Sequence, residues 1–165
     1  MNLENQKFEA YILNNYKNQR LFCLVDGAQI DHQQVQNIHF TFGSCIYLFK
    51  GTFEEDAYQY GPILFDLSLL GQNQLENLLH LMKEKDSMIF IESHLEIKQL
   101  KRKLLEKLYI EFEDGGVGIL RYYDPRVLKR LSQIITPEQK AQFMDGFETV
   151  YFMLHQINYE LKNDA

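Results

Sequence analysis

The chain has 165 residues, 45% of them hydrophobic and 24% charged, enough apolar material for one core without disulfide or metal staples. A formal net charge of -6 argues against nucleic acid as a ligand, because affinity for phosphate backbones comes mainly from a net basic face. The opening MNLENQKFEAY has neither a basic start nor an apolar run, and no later segment approaches the roughly 18 uncharged apolar residues of a membrane span, so a cytoplasmic protein with no membrane partner is expected.

In chain order, Phe8, Tyr11, Ile12 and Tyr16 recur at helical spacing and predict an amphipathic helix over about Leu3 to Asn18. Leu21 to Val25 (LFCLV), stopped by Asp26-Gly27, reads as a short strand buried on both faces, and similar strands are expected at Ile46 to Phe49, Ile63 to Leu67 and Met88 to Ile91. Helix starts are signalled by four pairs with capping-box spacing: Thr52 with Glu55, Asn73 with Glu76, Ser93 with Glu96, and Thr136 with Gln139. Pro137 strengthens the last of these. Behind two of the boxes run the stripes Leu75, Leu78, Leu79, Met82 and Ile97, Leu100, Leu104, Leu108. Leu108 to Glu113 and Val117 to Tyr123 flank Asp114-Gly115-Gly116 and predict a β-hairpin, after which Asp124-Pro125 ends the strand and opens a helix. From Phe143 onward the apolar positions Phe147, Val150, Tyr151, Leu154, Ile157 and Leu161 follow a helical stripe, although Val150 to Leu154 would also suit a strand; helix is the favoured reading.

Strands alternating with helices predict an α/β fold: a mostly parallel sheet flanked by helices, with an antiparallel hairpin edge and a C-terminal helical part. With no repeat, low-complexity stretch or linker, the expected organisation is a single domain over 1–165, an α/β lobe at 1–123 followed by a helical part at 124–165.

Nothing in the sequence has diagnostic catalytic spacing. Cys23 and Cys45 form no C-x-x-C pair, the five histidines no H-E-x-x-H, and no P-loop, G-x-S-x-G elbow or dinucleotide turn occurs, so no enzyme, metal or cofactor is expected. An enzyme alternative rests on Asp66, Glu92 and Glu111, which at strand ends could hold Mg²⁺ as in a nuclease; as plain structure, Glu92 precedes a capped helix and Glu111 lies on the solvent face of the hairpin. The basic helix from His94 to Lys107 has its charges opposite an aliphatic stripe and no interleaved aromatics, as a solvated face would.

Arg121 to Leu131 (RYYDPRVLKRL) is the densest feature. Asp124 and Pro125 are explained as N-cap and first helical residue, while Arg121 and Arg126 bracket Asp124, where a guanidinium fork can pair bidentately with the carboxylate and brace the corner. Tyr122 and Tyr123 point to opposite faces of the expected strand, so at most one is core and the other offers contact area to a partner. Arg121, Tyr123, Asp124 and Arg126 are therefore the candidate protein-binding or corner-bracing residues.

With Leu24-Val25-Asp26-Gly27-Ala28, Leu48-Phe49-Lys50-Gly51-Thr52 followed by Gly61-Pro62-Ile63-Leu64, and Arg121 to Leu128, the chain resembles, over roughly Arg20 to Gly146, the adaptor chaperones of bacterial type VI secretion. These are the Tap or TEC proteins, which share a domain long labelled as of unknown function. The resemblance implies a non-enzymatic cytoplasmic adaptor that binds a secreted effector protein and helps load it onto the VgrG spike protein. It also implies that Asp26, Gly27, Gly51, Gly61, Pro62 and Pro125 are structural members of the family motif. An immunity protein that neutralises a toxin, equally small and acidic, is the reading from a different class.

Overall fold

The computed structural model describes residues 3–17 and 20–164. The aromatic-rich N-terminal segment forms α1 (Leu3–Asn15); Asn18, the last residue of the expected helix, lies outside the described residues. β1 (Leu21–Asp26) follows, then a 3₁₀ turn (Gly27–Gln29), two short helices α2 (His32–Gln36) and α3 (Ile38–Thr41), and the two-residue strand β2 (Ile46–Tyr47). A second 3₁₀ segment (Glu55–Tyr60) leads into β3 (Pro62–Asp66), and a third (Leu67–Leu69) into α4 (Gln72–Glu84), β4 (Met88–Glu92) and α5 (Ile97–Glu106). The hairpin β5 (Tyr109–Glu111) and β6 (Val117–Ile119) precedes α6 (Pro125–Ile134), α7 (Pro137–Met144), β7 (Thr149–Leu154) and β8 (Ile157–Lys162).

Six strands form one sheet in the order β2-β3-β1-β4-β7-β8, and every pairing in it is antiparallel. The expectation of a mostly parallel sheet is therefore wrong, and the reason lies in strand order. β1 and β2 run in the same direction, as do β3 and β4, so the helical crossovers do join co-directional strands. In each case a strand of opposite sense sits between the two: β3 separates β2 from β1, and β1 separates β3 from β4. The hairpin β5-β6 is not an edge of this sheet but a separate two-stranded one.

The expected C-terminal helical part is also overturned beyond Met144. α6 and α7 form as foreseen, but β7 and β8 then make a second hairpin that pairs with β4 in the main sheet. Val150 and Phe152 face one cluster of buried residues and Met153 the other, so this strand shows no polar alternation to separate it from a helix.

Both faces of the sheet are covered. Leu21, Cys23, Val25, Ile63, Phe65, Met88 and Phe90 pack under α1 to α4, meeting Ile12, Phe42, Leu75, Leu78 and Leu79. Phe22, Leu24, Leu64, Ile89 and Ile91 face Leu100 and Leu104 of α5, Leu128 of α6 and Phe143 of α7. Two-sided burial is what the apolar runs indicated, and it holds without parallel pairing. Among the described residues no helix is long and apolar enough to cross a membrane.

Of the four expected capping boxes, only Thr136 with Gln139 forms as read, with the Thr136 hydroxyl accepting from Gln139 N–H and Gln139 Oε1 from Thr136 N–H. Asn73 lies inside α4, which starts after Gly71, and Gln74 Oε1 accepts the Gly71 N–H. Ser93 accepts from Leu95 N–H four residues before α5 begins at Ile97, and Thr52 accepts from Glu54 N–H ahead of the 3₁₀ segment. The hydroxyls cap turns that lead into helices rather than the helices themselves.

Candidate functional site

The residues of the three sequence motifs meet at one end of β1. Asp26 closes that otherwise apolar strand, which has a neighbour on each side in the sheet, and is fully buried. Its Oδ1 accepts the Ala28 N–H at 3.1 Å, which starts the 3₁₀ turn, and its Oδ2 receives Arg121 Nη2 at 2.6 Å from 95 residues away. Burial pushes the Asp26 carboxyl up, and Arg121 and the Ala28 N–H draw it back. The Arg121 side chain is 45% exposed, so one partner of this pair is inside the protein and the other half in solvent.

Beside Asp26, the chain from Gln59 to Pro62 runs too close for a side chain at position 27. A Cβ on Gly27 would lie 2.1 Å from Gln59 O and 2.8 Å from Gly61 O, and Gly27 N–H donates to Gly61 O at 2.9 Å. Gly61 is in turn covered by the Phe49 ring, 2.2 Å from where its Cβ would sit. Pro62 opens β3 opposite Asp26, with its carbonyl accepting from Leu48 N–H. Gly51 takes φ +80°, a left-handed conformation at the turn between these segments. Asp26, Gly27, Gly61 and Pro62 thus belong to one close-packed junction, while Gly51 is exposed, with open space where its Cβ would sit, and serves the turn alone.

The closing motif sits against it. Asp124 caps α6 by accepting Arg126 N–H at 2.9 Å, with Pro125 in the first turn. Arg126 Nε and Nη2 also grip its two oxygens at 2.9 and 2.8 Å. The bidentate brace expected at Asp124 exists, built by Arg126 alone; Arg121 turns to Asp26 instead. The Arg126 side chain is 51% exposed over a carboxylate that is 6% exposed.

Tyr122 and Tyr123 are both buried, against the expectation that at most one would be. The strand ends at Ile119, and the chain turns through 122 and 123, so strand alternation does not apply to them. Tyr122 donates its hydroxyl to Leu104 O at 2.8 Å, tying the corner to α5. The Arg121 guanidinium lies 5.8 Å from the Tyr123 ring centroid. Burial, then the nearby Asp26 carboxylate, pushes the Tyr123 phenol up to about 12. Tyr123 is thus a support under Arg121 and not a contact surface.

The acids considered for metal binding are not brought together. Asp66 accepts from the Ser68 N–H and hydroxyl, and Glu92 is held by the hydroxyls of Tyr11 and Tyr151. The two end strands on opposite sides of β1, while Glu111 is exposed on the separate hairpin. Among the described residues no group of three His, Cys, Asp or Glu side chains is placed to hold a metal ion.

Two features escaped the sequence reading. The Arg121 to Asp26 pair had one legible signal, a carboxylate inside an apolar strand run, which demands a cation from elsewhere. The other is an exposed apolar patch at Phe53, Val117 and Ile119, where a groove of about 560 Å³ opens beside the β5-β6 hairpin.

The fold and corner define an α/β domain with a two-sided antiparallel sheet, whose motif residues build a charge-braced junction. Over residues 21–142 the chain matches a family model described as "Domain of unknown function (DUF4123)", and it belongs to that family. No curated protein and no solved structure matches the chain.

Proposed function

We propose that this protein is a non-enzymatic cytoplasmic adaptor of type VI secretion, which binds a secreted effector protein and helps load it onto the VgrG spike protein for export. One observation carries the reading: the separated motifs on which the resemblance rests converge on one rigid corner. There two buried carboxylates hold two half-exposed guanidiniums in fixed positions. Such a corner offers recognition of anionic groups on a protein surface, with positions set before the partner arrives. Two cysteines that form no disulfide accord with a reducing cytoplasm.

The test is co-expression of the tagged protein with the product of the neighbouring gene and with VgrG. Wild-type protein retains the effector on affinity resin. Arg126→Gln, which keeps an amide donor but loses the charge, keeps a near-unchanged melting temperature and weakens capture by about tenfold. Undiminished capture by the variant removes the corner from the binding surface, and absence of any captured effector overturns the adaptor reading.

A further inference from the structure

The β5-β6 hairpin carries an edge that nothing in the described structure covers. Its register pairs Tyr109 with Ile119, Ile110 with Gly118 and Glu111 with Val117. The inward hydrogen bonds run through the even positions, with Leu120 N–H donating to Leu108 O at 2.7 Å and Phe112 N–H to Gly116 O at 2.7 Å. Val117 and Ile119 therefore turn their N–H and C=O groups to the outer side of β6. Among the described residues no strand pairs there.

The side chains beside this edge are apolar and exposed. Val117 is 69% and Phe53 101% exposed, and Ile119 lies between Val117 and the corner. Alternation puts Val117 and Ile119 on the same face of the hairpin as Tyr109, whose hydroxyl donates to Glu54 at 2.6 Å, so the loop bearing Phe53 forms the far wall of the groove. Natural edges are usually blunted by lysine, proline or a covering loop. This one has none of these.

The frame of the groove is acidic. The flanking segments supply Glu54, Glu55 and Asp56 on one side and Glu111, Glu113 and Asp114 on the other, with no lysine or arginine within 52–57 or 109–119. An apolar slot beside a free strand edge, with Glu54 in its lining and further carboxylates in the segments that flank it, is complementary to an extended segment with alternating apolar side chains and basic flanks.

We infer that the outer edge of β6 is a strand-addition site, at which an extended, apolar segment with lysine or arginine flanks from a partner protein pairs with Val117 and Ile119 and seats alternate side chains against Phe53. The inference deepens the adaptor reading by naming a docking surface and the chemistry of its occupant. Its test uses peptide alone, so its outcome is independent of whether an effector is captured.

The probe is a blocked peptide of about ten residues, alternating valine and threonine with two lysines at each end. It is titrated into isotope-labelled protein and followed by amide NMR. Binding shifts the amides of Thr52 to Glu54 and Val117 to Ile119 and protects the Val117 and Ile119 N–H groups from exchange. A glutamate-flanked twin and a twin with N-methylated alternate residues both bind at least tenfold more weakly, by roughly 1.4 kcal/mol. Ile119→Pro deletes an outward N–H without touching an inward bond and weakens binding about fivefold. Phe53→Ser, at a fully exposed position that the fold does not need, does likewise. Equal binding by the N-methylated or glutamate-flanked peptides, shifts elsewhere on the surface, or no shifts at millimolar peptide overturns the inference.

Discussion

Arg121 and Arg126 look equivalent in sequence, but their partners make them unequal. Removing Arg121 leaves the fully buried Asp26 carboxylate without its cation, whereas removing Arg126 leaves Asp124 still bonded to a backbone N–H at the start of α6. Chemical denaturation at neutral pH should show a loss of about 3 kcal/mol for Arg121→Ala and about 1 kcal/mol for Arg126→Ala. The two are further separated by pH. Burial already raises the Asp26 carboxyl, and loss of Arg121 raises it more. A carboxyl whose folded value is raised favours folding fully below the unfolded value of about 3.9, and that contribution disappears as pH climbs through the folded value. The Arg121→Ala deficit is therefore largest at neutral pH and narrows as pH falls toward about 4; a deficit that stays constant over that window contradicts the assignment. The Asp124 to Arg126 brace was legible because its members are two residues apart around a capping position. The Asp26 to Arg121 pair was not, since sequence alone does not say which ends of the chain a fold brings together.

At the scale of elements, the C-terminal hairpin shows why a helical stripe misled. β7 is buried on both sides, and in a continuous apolar run positions such as Phe147, Val150, Tyr151 and Leu154 can always be selected at helical spacing. The turn that would have settled the matter carries no signal either. His155 and Gln156 form a two-residue connection with φ 51° and 64°, the left-handed pair of a type I′ turn, which usually holds Asn-Gly. His155 keeps its backbone N–H on Asp86 Oδ1 at 3.0 Å, and its own side chain is largely exposed. His155→Asn should therefore raise stability by about 0.5 kcal/mol, read as a shift of the urea midpoint, because asparagine tolerates this conformation better. A lower midpoint would mean that the contact of His155 Nδ1 with Asp86 Oδ2, at 3.2 Å, outweighs the backbone preference. The hairpin at Asp114-Gly115-Gly116, by contrast, was read correctly from its glycines, with Gly115 at φ +82°.

At the scale of the whole molecule, the sequence revealed the two-sided burial of β1, β3 and β4 and most of the helices, but neither β7 as a strand nor the strand order. Alternating strands and helices predict co-directional pairs, and those are present; only the interleaving of β3 between β2 and β1, and of β1 between β3 and β4, converts the sheet to antiparallel. That interleaving also sets Asp26 at the end of an inner strand, where Arg121 can reach it and Pro62 and Met88 flank its strand. The motifs that support an adaptor reading are thus chiefly the means of holding one corner rigid, and partner recognition is assigned to what that corner exposes and to the open hairpin edge beyond it. Deleting the gene in its native cells, with secretion monitored by mass spectrometry of the culture medium, tests the adaptor account most directly. The account predicts that one effector disappears from the medium and accumulates in or is lost from the producing cells, while other secreted components are exported as before. Unchanged export of every effector, or poisoning of the producing cells that is relieved by the protein without any secretion, would contradict it.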